Sequence, residues 1–209
     1  VNLTVFGATG RTGRPLVERA LDSGHHVTAF VRDVETFDLE HENLQVVEGD
    51  VTDAEAVSEG VDGADAVFSA LGHTSSSGDD VLTVGGRNIL AAMDEHGVDR
   101  FVTLAGAAVR TKSDPPSLGA RAMGSVMGLV AGGLLSDARQ HVLDVRDSDR
   151  RWTVVRPPRL TEGAYTGEYD VGYLKLGPRN SVSRADVAAF MLRCVENDEW
   201  VGEMPMVSG

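Results

Sequence analysis

Short apolar runs alternate with longer amphipathic ones along most of the chain, and that alternation predicts strands joined by helices. Val1 to Phe6 reads as a buried strand that passes into a glycine-rich turn. A helix is predicted from about Thr12 to Ser23, with Leu16, Val17, Ala20 and Leu21 on its inner face. Pro15 falls in its first turn, where a missing amide does no harm, and Gly24 ends it. His26–Val31 and Asn43–Glu48 are the next strands, and Asp53 is placed to cap a short helix ending near Gly60. Asp65–Ala70 is a fourth strand, followed by Leu71-Gly72 and a polar, serine-rich loop from His73 to Asp80. His73 is expected to be solvated there. Thr83–His96 is a helix stopped by Gly97, and Arg100–Leu104 a fifth strand. Asp137–Arg146 is a helix with Ala138, His141, Val142 and Val145 on one side, and Arg151–Arg156 a sixth strand. Ser183, with Asp186 three residues on, forms a capping box for a last helix, and Met204–Val207 reads as a final strand.

Helices between fully apolar strands define an α/β fold: a doubly wound, mainly parallel sheet with helices on both faces. One domain over residues 1–209 is the expectation, with excursions near 112–135 and 160–180. The stretch 115–135, with Met123, Met127 and several glycines, reads either as a helical flap or as a helix pressed close to the sheet. In such folds ligands bind beyond the C-terminal ends of the strands.

Composition narrows the function. The net charge is −13, and of 19 basic residues only Lys112 and Lys175 are lysines. Nucleic-acid and anionic-membrane binding both need basic surface, so neither is expected. No apolar run approaches the ~20 residues of a membrane span. No basic-then-apolar leader is visible, and the lone Cys194 fits a reducing compartment, so a cytoplasmic location is expected. Cys194, beside Met191, Leu192 and Val195, reads as a core residue. No metal site is expected.

The candidate chemistry begins at the first turn. Gly7, Gly10 and Gly13 stand in a G-x-x-G-x-x-G spacing, a variant of the dinucleotide fingerprint. Missing Cβ atoms let backbone approach a ligand, and the amides of a helix N-terminus suit a pyrophosphate. A tight strand-to-helix turn without a ligand is the bland alternative. Thr9, Arg11 and Thr12 share the turn, with Arg11 a second phosphate or adenine contact. Arg32 follows the second strand, where an acidic residue would select the ribose 2′-hydroxyl of NAD. A guanidinium there matches a 2′-phosphate and favours NADP(H); the alternative is a surface Arg32 paired with Asp33. Asp50 and Val51 would border the adenine, and Leu71 and Gly72 would follow the dinucleotide toward its nicotinamide.

These segments, with Arg156-Pro157-Pro158-Arg159-Leu160-Thr161, resemble the NmrA-like, NAD(P)H-binding atypical short-chain dehydrogenase/reductases, most nearly the flavin reductase/biliverdin-IXβ reductase branch. The resemblance implies a Rossmann fold, monomeric or dimeric, holding NADPH against a small planar acceptor, with Pro157 and Pro158 beside the nicotinamide. The catalytic residues do not carry over. No tyrosine has a lysine four residues on, and the positions expected to hold serine and histidine are Gly106 and Arg159. Arg159 and Tyr165 are the candidate acceptor-facing residues, although Arg159 would equally suit a salt bridge to Glu162; His141 is expected to be packed, and no catalytic residue is assigned. Three functions follow: a reductase of flavin- or quinone-like acceptors, a non-catalytic redox sensor acting on a protein partner, and an epimerase-like enzyme, which the absent Tyr-x-x-x-Lys disfavours.

An acidic, lysine-poor surface also implies adaptation to salt. The melting temperature is expected to rise from dilute buffer to molar KCl; an unchanged or lower value removes that reading.

Overall fold

The computed structural model describes residues 1–75, 77–116 and 132–209. Six parallel strands form the central sheet: β1 (Asn2–Phe6), β2 (His26–Val31), β3 (Leu44–Glu48), β4 (Ala66–Ser69), β5 (Arg100–Leu104) and β6 (Arg151–Val155). Their order is β3-β2-β1-β4-β5-β6, so the chain leaves β1 in one direction, returns after β3, and fills the other side. This is the Rossmann order, and the reversal between β1 and β4 opens a crevice at their C-terminal ends. The inner strands β1, β4 and β5 are covered on both faces, which is why they are mainly apolar, whereas the edge strand β3 is only partly buried.

Side-chain alternation sorts the core into two layers. Leu3, Val5, Phe68, Val102 and Val155 face α1 (Gly13–Asp22) and a C-terminal helix, α5 (Arg184–Glu196). Phe6, Val67, Phe101 and Val154 face α2 (Ala54–Val61), α3 (Val81–Glu95) and α4 (Gly132–Asp147). Phe6 and Phe30 stand opposite each other in the β1–β2 register, their rings 4.8 Å apart. Cys194 is fully buried in the first layer, and burial pushes its thiol up to about 12.

Helix boundaries follow local caps where a cap exists. Asp53 accepts the Glu55 and Ala56 amides at α2. Ser183 caps α5 by accepting the Asp186 amide, but the reciprocal half of the expected box is changed. Asp186 takes the Ser183 hydroxyl and reaches across to the Thr166 and Gly167 amides. That carboxylate ties the 160–180 excursion to α5. The excursion contains β7 (Arg159–Thr161) and β8 (Asp170–Gly172); β7 pairs with β9 (Ser181–Ser183), and β8 with β10 (Met206–Ser208). The final strand therefore begins two residues later than its apolar pattern suggests. The flap-or-helix question falls mainly on residues 117–131, outside the described ones.

One helix boundary departs from expectation. Asp137 does not open its helix: α4 begins at Gly132 and Asp137 lies buried inside it. Its carboxylate instead accepts the Leu82 and Thr83 amides at 3.0 and 2.9 Å, capping α3 from a neighbouring helix. Asp80, the local N-cap of α3, makes no such bond.

His141 is packed, as its apolar surroundings imply. Its Nε2 lies 2.9 Å from the Thr103 hydroxyl, and its ring fills the space left by Gly86, where a Cβ would come within 2.3 Å of Nδ1. Burial drives its pKa down from 6.5 to about 4, so the folded protein keeps it neutral. The unfolded chain binds that proton more readily between these two values. Stability contributed by His141 is therefore present above pH 6.5 and lost as pH falls toward 4, up to about 3 kcal/mol in all. Denaturant unfolding across that window should give a slope that His141→Gln flattens; an unaltered slope would contradict the assignment.

Candidate cofactor cleft

The crevice predicted by strand order is present. A cleft of about 280 Å³ is lined by Gly7, Thr9 and Gly10 of the first turn, by Arg32 after β2, and by Asp50 and Val51 after β3. Leu71 and Gly72 after β4 complete the group, so eight of the predicted cofactor positions share one wall system. Ala70, Thr74, Ser77, Gly78 and Val81 also line it, and sequence reading did not single them out. The available signal is the polar loop after a central strand, whose hydroxyls and glycines equally suit a plain connection.

The turn's shape requires its glycines. Gly7 has φ +77°, and a Cβ there would meet the Ala70 backbone at 2.9 Å. A Cβ on Gly13 would stand 2.0 Å from the Gly7 carbonyl oxygen, so α1 can begin only this close to β1 with hydrogen at that position. Thr12 is the buried N-cap of α1 but makes no side-chain cap bond. Whereas α2, α3 and α5 each have a side-chain acceptor at the N-terminus, α1 has none among the described residues and carries no acidic residue in its first turn. An uncapped helix start facing a cleft is suited to an anion. Thr12 and Gly13 thus shape the turn without lining the cleft.

Arg32 lines the same cleft after β2. The Asp33 carboxylate accepts the Glu35 amide and caps a short 3₁₀ turn. Asp50 is held below the usual carboxylate range by bonds from the Thr52 hydroxyl and amide, with a smaller contribution from the Arg32 charge. Arg32 and Asp50 line the same cleft, near enough for the cation to favour the charged carboxylate.

Other predicted positions lie elsewhere. Arg11 points out of the cleft: its guanidinium is 3.0 Å from Glu162, and both side chains are exposed. Glu162 also holds Arg184 at 2.7 Å, and these two are its ion-pair partners among the described residues, in place of the anticipated Arg159. Arg159 is an exposed residue of β7. Tyr165 lies over the Arg19 guanidinium, 3.9 Å from ring centre to cation, and so packs on the flank of α1 rather than along the cleft. His73 is not merely solvated; its Nε2 is 2.8 Å from the Asp137 carboxylate. Pro157 and Pro158 follow β6, where the Pro157 carbonyl accepts the Ala107 amide.

Just before them sits a fully buried guanidinium, Arg156. It donates to the Met204 and Val109 carbonyls and makes two bonds to Asp114, at 2.9 and 2.6 Å. Burial would raise the Asp114 carboxyl, but the bonds from Arg156 and the Thr111 amide outweigh it and hold the group below its ordinary range. This pair fixes the 105–116 loop to the end of β6 and to the C-terminal segment. Among the described residues no group of acidic, histidine or cysteine side chains could hold a metal ion, and no helix is long and apolar enough to cross a membrane.

With this geometry in place, comparison with known proteins gives the class. The chain belongs to the NAD(P)H-binding family, whose pattern matches residues 7–198. An uncharacterized chloroplastic protein of Arabidopsis thaliana is 31% identical over 214 residues, covering 93% of this chain and 72% of the relative. A 3β-hydroxysteroid dehydrogenase/Δ5→4-isomerase of Mycobacterium tuberculosis is 36% identical over 110 residues, 47% of this chain; the match spans only 30% of that relative's length. The solved structure of an anaerobilin reductase from Escherichia coli O157:H7 shares the fold, with a TM-score of 0.81 at 19% identity over 99% of this chain and 96% of the other.

Asp114→Ala leaves the Arg156 charge buried and unpaired, which typically costs about 3–5 kcal/mol. Chemical denaturation should show a loss of that order; a change below about 1 kcal/mol, the range of an exposed pair, would refute the role given to it.

Proposed function

We propose that the protein is an NADPH-dependent reductase that delivers hydride to a flavin- or quinone-like acceptor. The observation carrying this reading is the pairing, in one cleft, of a glycine turn at an uncapped helix start with the Arg32 guanidinium after β2. The first suits a diphosphate and the second a phosphate on the adenosine ribose, which favours NADP(H) over NAD(H). The bound dinucleotide would supply the hydride. Gly7, Thr9 and Gly10 would hold its pyrophosphate, Asp50 and Val51 would border its adenine, and Leu71 and Gly72 would lead toward its nicotinamide.

The acceptor class rests on what the chain lacks and on its fold relatives. With no Tyr-x-x-x-Lys pair, a dedicated proton relay for alcohol chemistry is missing. Flat conjugated acceptors need little acid catalysis, because proximity and stacking align hydride transfer and water supplies the proton. The likeness to an anaerobilin reductase supports a conjugated acceptor, as does the sequence resemblance to the flavin/biliverdin branch. The second reading is a non-catalytic NADP(H) sensor acting on a protein partner. Gly106 and Arg159, standing where the branch has serine and histidine, favour it.

The two readings separate in one assay. NADPH mixed with FMN, FAD or small quinones should lose its nicotinamide absorbance when protein is added. Tight NADPH binding with no turnover of any acceptor would defeat the reductase and leave the sensor. Arg32→Glu should weaken NADP(H) at least about tenfold, the scale of one charge-assisted phosphate contact, while changing NAD(H) far less. Equal losses for both would remove Arg32 from its assigned role.

A further inference from the structure

One wall of the cleft is a loop in which Thr74 and Ser77 bond to each other. After β4 the chain contributes Gly72, Thr74, Ser77 and Gly78 to the lining, and Val81 at the start of α3 continues it. His73 lies between two lining residues but turns its imidazole the other way. Its Nε2 meets Asp137 at 2.8 Å, with 17% of the histidine side chain and 3% of the aspartate side chain exposed. The same carboxylate accepts the Leu82 and Thr83 amides and the Thr83 hydroxyl. One side chain of α4 therefore grips the loop at its beginning, through His73, and at its end, through the first turn of α3. Burial alone would favour the neutral acid; the bonds from Thr83, Leu82 and His73 outweigh it and keep Asp137 charged. A charged acceptor with four donors is stiff, since each bond is charge-assisted and shielded from water.

We propose that His73 and Asp137 are positioning residues for the adenosine half of the dinucleotide. Their hydrogen bond sets how far the wall residues Thr74, Ser77 and Gly78 stand from Arg32, Asp50 and Val51, which line the same cleft, and so sets affinity for the adenosine end without touching it. The proposal rests on the NADP(H) reading of the cleft. It also makes α4 a rigid link: the helix that fixes this wall bears the carboxylate on the face turned toward α3.

Calorimetry with two probes tests it: NADP⁺, and adenosine 2′,5′-bisphosphate, which occupies only the adenosine half. His73→Ala removes the donor from an otherwise intact loop. Both probes should bind about fivefold or more weakly, by the same factor, as expected for one lost charge-assisted bond. His73→Gln keeps an N–H able to reach Asp137 and should return both affinities to within about twofold of the parent. A general loss of folding would lower the melting temperature and would not be rescued in this way. Asp137→Asn, which also weakens the α3 cap, should lower affinity together with melting temperature. Binding to His73→Ala that matches the parent, or His73→Gln as weak as His73→Ala, overturns the proposal while leaving the cleft assignment standing. Failure of the parent protein to bind either probe overturns the cleft assignment and the proposal with it.

Discussion

The structure depends on how closely α1 can lie against the end of β1. With hydrogen at position 13 the helix begins where any side chain would collide with the Gly7 carbonyl. That approach directs the helix start into the crevice between β1 and β4. The rest of the ligand edge is arranged about the same point: Ala70 and Leu71 pass within contact of Gly7, and the loops after β2 and β3 complete the opposite side. A longer turn, or a helix set one side chain further out, would leave the same sheet with no helix start at the crevice. The fold and the cleft thus share one steric condition, imposed by a backbone contact.

A second theme is the use of buried charge as a fastener. Arg100 binds three backbone carbonyls of distant segments and Arg156 binds two. Arg100 joins the bottom of β6 to the turn after α5, and Arg156 joins the top of β6 to the loop after β5. A planar guanidinium with five donors can bridge such sets, whereas an ammonium cannot match their geometry. In a chain with so few lysines, a share of the arginine has structural work inside the molecule. Asp137 and Asp186 are the acidic counterparts, each tying a loop to a helix start.

The central sheet is legible because burial on both faces of its inner strands writes itself into sequence as short, mainly apolar runs. β2 and β5 fall on their expected residues, and the glycine turn, Asp53 and Ser183 gave local signals strong enough to place a helix start. What sequence did not disclose is interaction between segments far apart in the chain. Asp137 reads as the first residue of its own helix; here it caps α3 through amides 55 and 54 residues earlier, and His73 follows it into the interior. Tyr165 reads as an acceptor contact because it lies in an excursion near the sheet edge, yet Arg19, on the flank of α1, offers the better surface for its ring. The 160–180 region carries strands of three residues, too short for alternation to register. The cleft wall between Gly72 and Val81 escaped notice for a related reason: its lining is made of small polar residues whose sequence is that of any exposed turn.

The interior position of Cys194 has a practical consequence. Its sulfur has no exposed surface and is held as the unreactive thiol at ordinary pH, so thiol-directed reagents in solution have no accessible target on the folded chain. A cysteine introduced at any surface position would then be the sole labelling point. A dye or spin probe could be attached there without first removing the native sulfur, and changes in distance across the crevice could be followed in the otherwise unaltered protein.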